Sequence, residues 1–259
     1  MVKFSGVKLT ALRYLSLFSG IGGFDLGFDR AGMECAGQVE CDPAALGVLE
    51  RNWPNTKRVH DIKEVTGNEF GRIDVVCGGF PCQPHSLAGK RLGDADERDL
   101  WGEFARVIRA VRPRWVVAEN TTGILSSNGG RYFGRILRDL AGIGYDAEWQ
   151  VLSACAFGAP HTRKRVFIVA YPASLGREGE LPEVIMETTH DLSLEALGTW
   201  YGSGNPFEDI KKLLGTPGSS MLPDGVPSTL AIRPALRLFG NAVVPQITEW
   251  IGKLIVRSN

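Results

Sequence analysis

Along the first two thirds of the chain, short apolar runs alternate with helical patterns, and this order constrains the fold more than any other feature of the sequence. Runs at 15–18, 35–39, 73–77, 115–118, 147–152 and 166–170 read as strands. Between them, helical spacing starts near Gly22, Pro43, Leu100 and Arg131. Strands alternating with helices build an α/β fold around a mostly parallel sheet. In such a sheet, ligands and chemistry collect at the carboxyl ends of the strands. That is where the unusual residues of this sequence sit. After Tyr171 the pattern gives way to Gly, Pro and Ser with short apolar pieces, and it resumes as a helix over 246–256. The spacing therefore predicts a main domain over 1–171, a small irregular module over 172–239 and a terminal segment over 240–259.

A chain of 259 residues with 44% hydrophobic residues buries a sizeable core and needs no disulfides. Lys+Arg and Asp+Glu both total 29, which excludes an overall basic coat; any nucleic-acid surface must be local. The acid-rich stretch 178–209 would repel a phosphate backbone, so it faces away from nucleic acid or serves a partner. The five cysteines are odd in number, form no C-x-x-C pair and follow no secretory signal, which predicts reduced thiols in a cytoplasmic protein. Cys77, Cys82 and His85 lie close in sequence, but no second ligand pair accompanies them, so no metal is expected. No apolar run is long enough to cross a bilayer, and no membrane partner is expected.

Four segments carry chemistry. Leu17-Phe18-Ser19-Gly20-Ile21-Gly22-Gly23-Phe24 runs from a strand through glycines into a helix, whose amino end offers free N–H groups and a positive dipole. Glu40 follows at the end of the next strand, where a carboxylate binds ribose hydroxyls. This layout suits an adenosine-type cofactor and leaves open whether that is a dinucleotide or S-adenosylmethionine. Cys77-Gly78-Gly79-Phe80-Pro81-Cys82-Gln83-Pro84-His85-Ser86 fixes Cys82 in a rigid loop at a strand end, as a nucleophile requires. Glu119-Asn120 ends another strand. His161-Thr162-Arg163-Lys164-Arg165 leads into the strand at 166, with Arg163 and Arg165 on one side by alternation. Taken singly, the last two segments suit a solvated carboxylate and an edge-strand charge cluster.

Taken together and in this order, with Gly240-Asn241-Ala242-Val243-Val244-Pro245, the segments closely resemble the DNA cytosine C5 methyltransferases, in a short bacterial or phage/prophage-type form. The resemblance runs from residue 15 to about 256, apart from 172–239. It implies a Rossmann-like S-adenosylmethionine-dependent methyltransferase fold acting on duplex DNA as a monomer, with base flipping. By resemblance, Cys82 adds to cytosine C6, Glu119 holds N3 and the exocyclic amine, and Arg165 contacts O2 while orienting Glu119. Arg163 holds the flipped nucleotide or its phosphate. Phe18 stacks on adenine, with Gly20, Gly22 and Gly23 forming the cofactor turn. Glu40 takes the ribose, Asp61 and Ile62 the adenine edge, and Asn241 and Val243 the methionine side. The 172–239 module takes the place of target recognition, and the terminal segment returns beside the first strand.

The segment 83–99, with Gly89, Lys90, Arg91 and Gly93, has the hinge glycines and charges of a closing loop. Gln83, Ser86, Lys90 and Arg91 are its expected DNA contacts, joined by Arg233 and Arg237 before the last motif. Two positions depart from the family pattern: His161 stands where Gln is usual, and His85 where an aromatic is common. Other readings are a tRNA cytosine methyltransferase on the same motifs, or a silent homologue acting as a regulatory scaffold. Loss of Cys82, Glu119 or the paired arginines would mark the scaffold, and all are present. A Rossmann oxidoreductase gives no reason for the Cys82 loop.

Overall fold

The structure, a computed structural model, describes residues 10–81, 99–159, 161–176 and 242–259. Among these residues, seven strands form one sheet: β1 (Arg13–Leu17), β2 (Glu34–Val39), β3 (Arg58–Val59), β4 (Val75–Gly79), β5 (Trp115–Thr121), β6 (Tyr145–Ser153) and β7 (Lys164–Pro172). Their order is β3-β2-β1-β4-β5-β7-β6. The first five pair in parallel, and β7 lies antiparallel between β5 and β6. The six strands read from the sequence are all present. β3 is the addition, a two-residue edge on β2. The cluster at 161–165 leads into an interior strand, which corrects the edge-strand reading of those charges.

Helices α1 (Gly23–Arg30), α2 (Pro43–Asn52), α3 (Trp101–Val111), α4 (Arg131–Ile143) and α5 (Pro245–Arg257) start where the periodicity changes. Asp42 caps α2 by accepting the N–H groups of Ala44 and Ala45, with Pro43 at the first position, where no backbone donor is required. Alternation along the strands divides the core into two layers. Leu15, Leu17, Val76, Val116 and Ile168 face α3 and α4, packing on Trp101, Phe104, Ile108 and Ile136. Tyr14, Val75, Val117, Phe167 and Val169 face the other way, onto Phe24 and Phe28 of α1 and Ile247, Ile251 and Ile255 of α5.

The docking of α5 on α1 is unusually close. A Cβ on Gly23 would come within 2.4 Å of the Val243 carbonyl oxygen, and one on Gly27 within 2.5 Å of the Pro245 oxygen. Thr248 donates to the Gly23 carbonyl at 3.1 Å, and Arg30 pairs with Glu249 at 3.9 Å. The terminal segment therefore returns to the start of the fold.

Candidate active site

At the carboxyl ends of β1, β2, β4 and β5 lies a cavity of about 770 Å³. Small-molecule sites run to roughly 300–1,000 Å³. Phe18, Gly20, Glu40, Asp61, Ile62, Glu119, Arg163 and Arg165, each singled out from the sequence, all line it.

The turn after β1 forms its first wall. Phe18 has φ 52°, a left-handed backbone that costs a bulky residue on the order of 1–3 kcal/mol unless the surroundings hold it. Its ring stacks on Phe104 at 6.3 Å between centroids and 19° between planes, and Phe104 stacks in turn on Trp101. Gly22 caps α1 with φ 87°, and a Cβ there would lie 2.5 Å from the Trp53 ring. The Gly20 N–H donates to Glu40 Oε2 at 2.7 Å, while the N–H groups of Cys41 and Asp42 donate to Oε1 at 2.9 and 2.8 Å. Glu40 is thus fixed in orientation before any ligand arrives. Asp61 Oδ1 accepts the Lys63 N–H at 2.9 Å, so part of this carboxylate caps its own short turn. Ile62 is buried, and its carbonyl accepts from Arg106 at 2.7 Å.

The opposite wall carries Glu119, only 6% exposed. Gly79 is its register partner, and a Cβ at Gly79 would come within 2.7 Å of Glu119 Oε2. Arg165 Nε lies 2.9 Å from Glu119 Oε1, an ion pair largely shielded from solvent. Burial pushes the Glu119 carboxyl up to about 7, against the pull of Arg165 and then Arg163. Burial also lowers Arg163 from its ordinary value, helped by Arg165 and opposed by Glu119. A carboxyl poised near neutrality beside two guanidinium groups can give and retrieve a proton.

Gly22, Gly23 and Val243 stand behind the cavity rather than in its lining; Ala242 supplies the wall there, packed with Ile21 and Val48. Cys82, Gln83, Ser86, Lys90, Arg91, Arg233, Arg237 and Asn241 lie outside the described residues, as does the 178–209 stretch. Asn120, next to Glu119 in the sequence, has a role that only the structure brings out. Asn120 Nδ2 donates to the Phe80 carbonyl at 2.9 Å, and its Oδ1 accepts the Thr121 N–H at 2.8 Å. It ties the strand end that bears Glu119 to the peptide just before Pro81-Cys82. An amide directly after a strand-end carboxylate was the signal available. His60 and Lys63 also line the cavity, placed there by the two-residue strand that has no pattern of its own. Among the described residues no group of side chains is arranged for a metal, and no helix is long and apolar enough to cross a membrane.

A sheet of this order with a buried Glu-Arg pair facing a glycine turn defines a class, and comparison with known proteins supplies it. Residues 12–216 match the family model described as C-5 cytosine-specific DNA methylase, and the chain belongs to that family. Among individual relatives, it is 35% identical over 241 residues to the type II methyltransferase M.AquIA of Picosynechococcus, covering 85% of this chain and 93% of that one. It is 34% identical over 220 residues to the type II methyltransferase M.NgoBV of Neisseria gonorrhoeae, covering 78% of this chain and 50% of that one. The chain spans about half the length of several curated relatives that it matches. Among solved structures, a DNA modification methyltransferase encoded within an E. coli prophage has a TM-score of 0.55 at 29% identity, over 64% of this chain and 48% of that one. Spodoptera frugiperda DNMT2 shares the fold, with a TM-score of 0.65 at 18% identity over 95% of this chain and 100% of that one.

Proposed function

We propose that this protein transfers the methyl group of S-adenosylmethionine to C5 of cytosine in duplex DNA, through a covalent adduct between Cys82 and C6. The observation that carries the reading is Glu119, buried, held near neutrality and faced by Arg163 and Arg165 across the cavity from Phe18 and Glu40.

The described residues fit the cofactor. An aromatic face at Phe18 suits adenine, and the backbone-anchored carboxylate of Glu40 suits vicinal hydroxyls. Asp42 and Asp61 add acceptors for an amino group at the same end. S-adenosylmethionine supplies an electrophilic sulfonium methyl when bound.

The protein's residues make cytosine able to attack it. C5 of cytosine is a poor nucleophile. Addition of the Cys82 thiolate to C6, with a proton from Glu119 arriving at N3, turns C5 into an enamine carbon. Arg165 contacts O2 and keeps Glu119 aligned, and Arg163 holds the nucleotide. After methyl transfer, loss of the C5 proton to a base or ordered water expels Cys82, and N3 returns its proton to Glu119. None of these atoms is reachable in a stacked duplex, so the nucleotide must rotate out, at a cost of a few kcal/mol. In this reading the 172–239 module reads the target sequence.

The test is expression in a host lacking cytosine methylation, with 5-methylcytosine mapped at base resolution and Cys82→Ala as the control. Methylation in one short sequence context, absent with the variant, is the expected result. A folded protein that binds S-adenosylmethionine and leaves the DNA unmethylated would overturn the reading and direct attention to RNA substrates.

A further inference from the structure

Beneath the glycine turn, on the sheet face covered by α1 and α5, lies a polar cluster with no part in the reaction. Asp25, in the first turn of α1, is fully buried. Its Oδ2 accepts the Ser16 hydroxyl at 2.9 Å and its Oδ1 the Gln38 amide at 2.8 Å, with Cys35 Sγ at 3.7 Å. Ser16 and Gln38 are register partners across β1 and β2. Each stands two residues before a cavity residue, Ser16 before Phe18 and Gln38 before Glu40.

Hydrogen bonds run from this carboxylate right round the turn. Ser19 Oγ donates to the Ser16 carbonyl at 3.0 Å, the Ser19 N–H donates to the Val39 carbonyl at 3.1 Å, and the Gly20 N–H donates to Glu40. Asp25 closes the circuit from below by bonding both strands. The arrangement surrounds Phe18, whose left-handed backbone needs to be held.

A buried carboxylate is costly without a cation, and among the described residues none pairs with Asp25. The groups facing it are Tyr14 of β1, whose hydroxyl donates to the Asp25 carbonyl and to Asp29, Cys35 of β2, Cys77 of β4 and Asp29 of α1. Trp53, at the end of α2, binds Asp29, and α5 brings Glu249, which Arg30 and Lys253 already hold. The amino end of α1, the Ser16 and Gln38 donors, the Cys35 thiol and a backbone N–H offset only part of the burial. An apolar side chain would fill the space at lower cost, so the charge calls for a purpose.

We infer that Asp25 is a positioning residue for the cofactor turn: its ionised carboxylate clamps β1 to β2 and holds Phe18 and Glu40 at the separation that an adenosine group requires. This rests on the cofactor reading above. The clamp has a signature. Burial raises the Asp25 carboxyl from its ordinary 3.8 to about 6. Because the folded value lies above the unfolded one, protonation favours the fold as pH falls, yet it weakens the acceptor that ties the strands. Acidification through pH 6 therefore lowers cofactor affinity while the Asp25 contribution to stability rises. A residue with a purely structural role moves both in the same direction.

The experiment titrates S-adenosylhomocysteine into the full chain by calorimetry at pH 8 and pH 5.5, for the natural protein and for Asp25→Asn, with melting temperatures recorded without ligand. The expected result is about tenfold weaker binding by Asp25→Asn at pH 8, with a melting temperature equal to or above the natural one. Acidification should then weaken the natural protein more than the variant, a comparison in which other titrating groups in the cavity cancel. Equal affinities at pH 8, or a loss of affinity only alongside a lower melting temperature, would overturn the inference. If Asp25→Asn does not fold, Ser16→Ala removes one arm of the clamp without touching the charge; several-fold weaker binding supports the inference, and unchanged binding refutes it. Failure of the natural protein to bind S-adenosylhomocysteine at pH 8 would sink the cofactor reading itself, which separates that outcome from a failed clamp.

Discussion

At the scale of single residues, Glu119 is where burial becomes chemistry. Its carboxyl lies near 7 in the folded protein against an ordinary 4.5, chiefly through burial. A raised acid favours the fold at low pH, so this stabilisation is full below about 4.5 and disappears as pH rises through 7. The span is on the order of 3 kcal/mol. Glu119→Gln removes that dependence, and thermal melts from pH 5 to 8 should show the variant gaining on the natural protein as pH rises. Activity should move the other way: kcat falls by at least roughly a hundredfold, the scale of a lost proton donor. The kcat/KM profile also loses its limb near pH 7. Unchanged limbs would remove Glu119 from the proton transfer. The residue type and its strand-end position were legible in the sequence, but its burial was not. A polar strand end reads as solvated until the antiparallel β7 is known to lie beside it, carrying Arg165 into register with Thr121.

At the scale of elements, the contact between α1 and α5 couples packing to the site. The bonds and close approaches at Gly23 hold the Val243 backbone, and the neighbouring Ala242 is a wall of the cavity. Gly23→Ala places a methyl group 2.4 Å from a carbonyl oxygen that cannot yield without moving α5. The expected cost is about 1–3 kcal/mol or more, read as a melting temperature lower by roughly 2–4 °C per kcal/mol, with weaker S-adenosylhomocysteine binding. A variant that melts and binds as the natural protein does would show that the helix tolerates a shift. Most elements were readable because strands buried on both faces leave unbroken apolar runs and the helices carry clear periodicity. β3 was not, since Arg58 and Val59 form no pattern. Nor was the direction of β7, because a buried apolar run looks the same whichever way it is inserted.

At the scale of the whole molecule, the sheet is completed by a helix from the far end of the sequence. Val244, Ile247, Ile251 and Ile255 are buried against Tyr14, Phe24 and Phe28. Each such side chain is worth about 1.5–3 kcal/mol of burial, a sum comparable to the entire stability of a domain. A 1–235 fragment should therefore show neither cooperative melting nor S-adenosylhomocysteine binding, and normal binding by it would contradict this account of the fold. That fragment also freezes a moment in the life of the protein. Thr248 meets the Gly23 carbonyl across 225 residues of chain. At translation rates of roughly 5–20 residues per second, α1 leaves the ribosome on the order of ten to forty seconds before α5 is made. Throughout that interval Phe24 and Phe28 lack the helix that covers them, which makes the half-made polypeptide a natural client for chaperones.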